Sequence, residues 1–199
     1  MKLVPDHLVV CVSDLEKASR SFLEKGLASV PGGRHPGHGT ANRIVPLGDS
    51  YIELLAVVDT SEARASRFGT WAQEASSTPH RIDALCLRAD DINQVAVILG
   101  VEPIEMSRKR PDGSVLEWRV AGIDFTIDTG APFLVEWGVT DHELPGRTPV
   151  EHPAGDVTLA SIDHSSPNGW DVTAERVLFL SGPRKISAEI QTEQGVIEL

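Results

Sequence analysis

The sequence predicts an α+β fold assembled from a duplicated unit of strands with one helix each. Three observations carry this. Short apolar runs alternate with segments of helical periodicity, the order strand, helix, further strands occurs twice, and a Ser-Thr-Pro break separates the two occurrences. The composition permits such a fold: 199 residues, 41% of them hydrophobic, suffice for one domain with a sizeable core or for two small ones.

Residues 8–12 read as a buried strand, short and apolar. Ser13-Asp14 then offers a helix N-cap, and Leu15, Ala18, Phe22 and Leu23 recur at helical spacing until Gly26 ends the run. Residues 31–42 read as an irregular loop, because four glycines and two prolines disfavour regular structure. Residues 43–47 and 51–58 read as a hairpin around Gly48-Asp49-Ser50. Residues 60–75 read as one helix with Ala63, Phe68, Trp71 and Ala72 facing inward, and Ser76-Ser77-Thr78-Pro79 as the linker.

After the linker the pattern returns. Residues 84–87 form a short apolar strand, Ala89-Asp90-Asp91 supplies a cap, and Ile92, Val95, Ala96, Ile98 and Leu99 make an apolar helical face stopped by Gly100. Residues 106–110, 115–120 and 133–137 read as strands, with Pro111-Asp112-Gly113 as the turn between the first two. Leu8-Val9-Val10-Cys11-Val12-Ser13-Asp14-Leu15 can be laid over Ala84-Leu85-Cys86-Leu87-Arg88-Ala89-Asp90-Asp91, and Tyr51-Ile52-Glu53-Leu54 over Leu134-Val135-Glu136-Trp137. Residues 138–155 are polar and irregular. A strand over 157–162 and a meander over 176–199 read as a partial third unit or an appended sheet. The domain expectation is a paired unit over 1–140, its halves about 1–75 and 80–140, with an extension over 150–199.

Charge narrows the function classes. With 18 Lys and Arg against 29 Asp and Glu, the net charge of -11 repels phosphate backbones and anionic lipid, so neither nucleic acid nor membrane is expected as a partner. The early apolar run at 8–12 is far too short to span a bilayer. Pro5, Asp6 and His7 interrupt the stretch where a secretory signal would need its apolar core. Cys11 and Cys86 each sit in an apolar run and read as buried reduced thiols, which together with the missing signal gives a cytoplasmic expectation. They form no C-x-x-C pair, so zinc-thiolate and thioredoxin chemistry are not expected.

His7 heads the first strand, Glu53 lies between Ile52 and Leu54, and Glu136 lies between Val135 and Trp137. A carboxylate inside a buried strand is costly unless it is paired, hydrogen-bonded or bound to a metal. One imidazole and two carboxylates suit a divalent cation with open positions. The competing reading is a half-solvated antiparallel sheet, in which glutamate between apolar residues is ordinary and His7 is a capping or surface side chain. In residues 34–42, Arg34, His35, His38 and Asn42 can donate to an anionic or carbonyl-bearing molecule among glycines that admit close backbone approach, or the segment is a flexible loop of turn residues. Its spacing matches neither a Walker A loop nor a Rossmann fingerprint. Asp163-His164-Ser165-Ser166 lacks a nucleophile elbow and reads as a turn or strand end. Trp71, Trp118, Trp137 and Trp170 read as core or pocket wall.

Asp6-His7-Leu8-Val9-Val10, Asp14-Leu15, Gly32-Gly33-Arg34-His35-Pro36-Gly37-His38-Gly39-Thr40-Ala41-Asn42, Tyr51-Ile52-Glu53-Leu54 and Pro132-Phe133-Leu134-Val135-Glu136-Trp137 together resemble the glyoxalase-like domain of the vicinal oxygen chelate superfamily. The likeness covers most of residues 5–137. The tail resembles the C-terminal extension of that family, chiefly at Ile190-Gln191-Thr192-Glu193-Gln194-Gly195-Val196. The resemblance implies paired βαβββ modules forming a cupped mixed sheet around a cavity, with a C-terminal β-rich extension. It also implies a divalent metal ion held from the first and last strands of each module. Carried over, these positions are His7 and Glu53 in the first module and Asp83 and Glu136 in the second, with Asp83 standing where a glyoxalase I site would carry histidine.

The function expected from this likeness is a metal-dependent enzyme of isomerase, lyase or dioxygenase type acting on a small oxygen-bearing metabolite. Its expected ligands are His7, Glu53 and Glu136, with Glu136 also moving a proton, and His35, His38 and Asn42 are expected to touch substrate. The alternative is a metal-free protein that binds or sequesters a small molecule in the same cavity. The expected partner is a small-molecule substrate, and a homodimer is left open.

Overall fold

The computed structural model describes residues 2–78, 81–109, 115–168, 170 and 172–199, without the side chains of Arg108 and Lys109. Strand β1 (Leu3–Cys11) is buried along almost its whole length, because both faces of its sheet are covered. Helix α1 (Leu15–Glu24) follows, capped by the Asp14 carboxylate on the Lys17 N–H. Strands β2 (Val30–His35), β3 (Thr40–Pro46) and β4 (Tyr51–Val57) complete the first unit. Helices α2 (Thr60–Arg64) and α3 (Arg67–Ala75) lead to the second unit: β5 (Ala84–Ala89), α4 (Ile92–Leu99), β6 (Ile104–Lys109), β7 (Val115–Ala121), α5 (Ile123–Thr129) and β8 (Phe133–Trp137). Two short 3-10 turns precede β9 (Val157–Ser166), β10 (Val177–Ser181), β11 (Lys185–Thr192) and β12 (Gly195–Glu198).

The first eight strands form one mixed sheet in the order β2-β3-β4-β1-β5-β8-β7-β6. Strands β1 and β4 run parallel, as do β5 and β8, while the other neighbours are antiparallel. The order 1-4-3-2 therefore recurs as 5-8-7-6, and the units meet at the antiparallel β1/β5 pair. Edge strands β2 and β6 approach each other, so the sheet curls into the expected cup. The remaining strands form a separate sheet in the order β10-β9-β11-β12. No helix lies between β9 and β12 among the described residues.

Three local expectations need correction. Residues 31–42 are not a loop: β2 and β3 make a hairpin turning at 36–39. Strand β2 lies at the sheet edge, where Pro31 is tolerated, and a register shift between Pro31 and Arg34 absorbs the paired glycines. The expected helix over 60–75 is two, because Ser66 leaves the helical conformation and caps α3 through the Gly69 N–H. Helix α5, between β7 and β8, has no counterpart in the first unit and sits between two left-handed glycines, Gly122 and Gly130. The expected turn Pro111-Asp112-Gly113 and linker residue Pro79 lie outside the described residues.

Two apolar layers sandwich the sheet. On one face Leu8, Val10, Ile52, Leu54, Leu85, Leu87 and Leu134 pack with α4 and with Leu159, Ile162, Ile186 and Ile190 of the second sheet. On the other, Val9, Cys11, Leu55, Ala84, Cys86, Phe133 and Val135 pack with Ala72 and Ala75 of α3. His152 ties the connection after β8 to the first unit: its Nδ1 accepts the Ala28 N–H at 3.0 Å and its Nε2 donates to Pro46 O at 2.9 Å. No helix among the described residues is long and apolar enough to cross a membrane.

Two predictions follow from these contacts. Gly37 and Gly39 both have left-handed backbones, with φ +80° and +64°, but only a Cβ at Gly39 would overlap other backbone, at Asp59 O and Ala63 N. Equilibrium urea unfolding should therefore place Gly37→Ala about 1 kcal/mol below wild type, and Gly39→Ala at a loss of about 2–4 kcal/mol; equal losses would refute this packing. Burial lowers the pKa of His152 and of His164 below the ordinary 6.5, so the folded chain binds fewer protons there than the unfolded chain. Their contribution is complete above pH 6.5 and is lost as pH falls toward the lowered folded values. His152→Gln should flatten the slope of stability against pH below 6.5, read by unfolding at several pH values.

Candidate functional site

A side chain on a strand alternates between the two layers, so parity decides what reaches the cup. On β1, Leu8 and Val10 join the outer layer, which leaves His7 on the inner face with Val9 and Cys11. On β4, Ile52 and Leu54 point outward and Tyr51 and Glu53 inward. The parallel register pairs His7 with Tyr51 and Val9 with Glu53, which makes His7 and Glu53 near neighbours on one face.

His7, Tyr51 and Glu53 line a small cavity of about 90 Å³ inside the cup, with His35, His38, Asn42, Phe68, Trp118, Phe133, Val135 and Trp137 among its walls. Glu53 is 7% exposed, as is His7. Its carboxylate Oε1 accepts a hydrogen bond from Asn42 Nδ2, while Asn42 Oδ1 accepts the Gly33 N–H at 2.7 Å. A Cβ at Gly32 would overlap that same Asn42 oxygen, so the glycine pair in β2 is what lets Asn42 fit. His7 Nε2 lies 3.9 Å from Glu53 Oε2, and His35 Nε2 lies 3.8 Å from Glu53 Oε1. The carboxylate thus sits between two imidazoles. On their far sides, His35 Nδ1 is 3.0 Å from Thr40 Oγ1 and His7 Nδ1 is 2.7 Å from Asp6 Oδ1. His38 stands in the β2–β3 turn, with Nδ1 2.6 Å from Ser66 Oγ and its ring edge-on to Phe68.

The structure brings His7, His35, His38, Asn42 and Glu53 to one cavity. It does not bring Glu136 there. Phe133, Val135 and Trp137 face the cavity, so Glu136 points to the outer layer. There Glu136 Oε1 accepts from the Ile92 N–H at the start of α4, and Oε2 accepts from Arg119 Nε at 2.7 Å and from Arg119 Nη2. Overlaying Glu53 on Glu136 therefore joins opposite faces of the sheet: Phe133, Val135 and Trp137, not Glu136, share in β8 the face that Glu53 uses in β4. A one-residue slip moves a side chain to the opposite face. Glu136 is thus not among the residues that line this cavity.

Asp83 is also elsewhere. It precedes β5, accepts the Cys11 N–H at 2.8 Å, pairs with Arg81 and lines a different surface cleft beside the second sheet. Burial raises its pKa above the usual aspartate value, and the Cys11 and Arg81 donors only partly oppose that. The second unit instead supplies an apolar wall, with the Trp118 and Trp137 rings 5.6 Å apart. Burial, reinforced by nearby carboxylates, pushes the Cys11 and Cys86 thiols well up, so both are neutral core residues.

Sequence reasoning missed the role of Asp6, which touches His7 from the adjacent position. The Asp-His pair was visible, but the backbone irregularity that turns Asp6 toward His7 was not.

No curated protein matches the chain significantly. A hypothetical protein from Staphylococcus aureus is similar in structure, with a TM-score of 0.64 at 18% identity over 98% of this chain and 84% of that one. Methylmalonyl-CoA epimerase from Mycobacterium tuberculosis aligns with a TM-score of 0.47 at 21% identity, covering 68% of this chain and 89% of that one. The Streptomyces coelicolor methylmalonyl-CoA epimerase in complex with 2-nitronate-propionyl-CoA gives 0.49 at 17% identity, covering 69% and 100%. The architecture of paired βαβββ units around a cup is the vicinal oxygen chelate fold. The glyoxalase-like domain family matches residues 6–178, from the Asp6-His7 pair into the second sheet, and the chain belongs to that family.

Proposed function

We propose that this protein is a divalent-metal-dependent enzyme acting on a small oxygen-bearing molecule at the His7, His35 and Glu53 group. The observation that carries the proposal is the buried Glu53 carboxylate flanked by two imidazole Nε2 atoms, at 3.9 and 3.8 Å, on the face that lines the cavity. Two imidazoles and one carboxylate, drawn from three strands, are a donor set for manganese, iron, nickel or zinc with positions left open for substrate. A different and tighter group is Asp6, His7 and Cys86, whose potential ligand atoms all lie within 4.8 Å of one another. It fits a metal poorly, because both Asp6 oxygens already accept hydrogen bonds and the Cys86 thiol is held protonated by burial.

A divalent ion bound there would take oxygens of the substrate and stabilise negative charge developing on them. The side chains of the chain do the rest. Asn42 fixes the Glu53 carboxylate in its rotamer, and Trp118, Trp137, Phe133 and Val135 exclude water and pack the apolar body of the substrate. His38 lines the cavity outside the ligand set and is the group placed to move a proton. A proton carrier beside a stabilised oxyanion suits isomerase or lyase chemistry.

Calorimetric titration of metal-free protein with manganese, iron(II), nickel and zinc should find one ion per chain. Glu53→Gln removes the charge at nearly constant volume and should weaken binding by about 100-fold or more. Glu136→Gln should leave the affinity unchanged and cost about 1 kcal/mol of stability, since its partner Arg119 is a third exposed and the pair is partly screened. A wild-type chain that takes up none of these ions, or a Glu53→Gln variant that binds as wild type does, would reject the metal reading and leave metal-free binding of a small molecule.

A further inference from the structure

We infer that Asp6 is a positioning residue that sets the tautomer of His7, and that the second unit holds Asp6 in place to do so. The inference rests on His7 acting through Nε2 in the cavity, as proposed above.

The backbone makes the contact possible. The pairing of β1 with β5 runs from Pro5 opposite Leu87 directly to His7 opposite Cys86, so Asp6 is the extra residue of a β-bulge. In a regular strand its carboxylate would point away from His7. Here Asp6 is 1% exposed and its Oδ1 lies 2.7 Å from His7 Nδ1. Its Oδ2 accepts from Trp137 Nε1 at 2.8 Å and, at 3.4 Å, from Arg88 Nη1. Trp137 belongs to β8 and Arg88 to β5, so both of these donors come from the second unit.

An ionised carboxylate only accepts hydrogen bonds, and a neutral imidazole has one donor and one acceptor nitrogen. Facing Asp6, His7 Nδ1 must carry the proton. Its Nε2 lone pair is then free toward Glu53 and the cavity. The Tyr51 ring stacked at 4.6 Å and the Phe133 ring edge-on at 5.4 Å hold the imidazole plane. The second unit, whose described residues offer no carboxylate to the cavity, thereby acts on the site through His7.

Asparagine at position 6 exposes the logic. Its amide has one acceptor end and one donor end. Turned with oxygen toward Trp137 and Arg88, it presents N–H to His7 Nδ1, which must then accept, and the proton moves to Nε2. Turned the other way, its N–H groups meet the Trp137 and Arg88 donors. Asp6→Asn should therefore adopt the first orientation and switch His7 to the Nε2–H form.

The test is long-range nitrogen–proton NMR of the imidazoles in metal-free protein, paired with calorimetry of manganese and zinc binding. Wild type should show His7 protonated on Nδ1. Asp6→Asn should show it protonated on Nε2, with metal affinity lowered about 10- to 100-fold. Adding Trp137→Phe to Asp6→Asn removes the stronger opposing donor and should return part of the Nδ1–H population, an effect that loss of fold would not produce. A wild-type His7 protonated on Nε2 overturns the inference whether or not any variant folds, as does an Asp6→Asn chain that keeps the wild-type tautomer. A wild-type chain with the expected tautomer that binds no metal upholds the role of Asp6 and rejects the metal reading.

Discussion

Everything that reaches the cavity does so because the central sheet is covered on both faces. A strand with only one buried face can tolerate a polar residue on the other, but β1, β4, β5 and β8 have no wet side. Each residue there must suit one of two layers, and the two-residue period of the strand assigns it without exception away from a bulge. His7, Tyr51 and Glu53 fall on the cup side, Leu8, Ile52 and Leu54 on the other. A buried carboxylate is unfavourable without partners, and Glu53 has three within reach: Asn42, His7 and His35. Those partners come from β1, β2 and β3, which is why the β2–β3 hairpin matters to the site as much as the strand that bears the glutamate.

The duplication holds in the strands and breaks in the chemistry. Strand order and direction repeat from one unit to the other, yet the first unit gives the cavity its histidines and carboxylate and the second gives it tryptophan, phenylalanine and valine. Such a division suits a ligand with a polar head and an apolar body. It also explains Glu136, which sits on the outer layer between the start of α4 and Arg119, where a carboxylate near a helix N-terminus and an arginine is favourable.

The sequence carried much of this in readable form. Short apolar runs located β1 and β5, the Asp14 and Asp91 caps located α1 and α4, and the recurring element order implied two units of the same plan. Composition misled at residues 31–42, because an edge strand accepts proline and glycine that a central strand would not. It misled again at Glu136: an overlay by residue type put glutamate on glutamate, whereas strand parity gives the cavity face to Phe133, Val135 and Trp137. The bulge at Asp6 left no sequence signal beyond the Asp-His pair itself, since a bulge depends on pairing with β5, 82 residues away at Arg88.

The central claim is that the first unit alone furnishes the metal ligands. Anomalous diffraction from crystals of the manganese- or zinc-loaded protein tests it most directly. The account predicts one strong peak inside the cup, at ~2.0–2.2 Å from His7 Nε2, His35 Nε2 and a Glu53 oxygen for a zinc-like ion. A peak beside Glu136, at Asp83, or between Asp6 and Cys86, with none at Glu53, would contradict it.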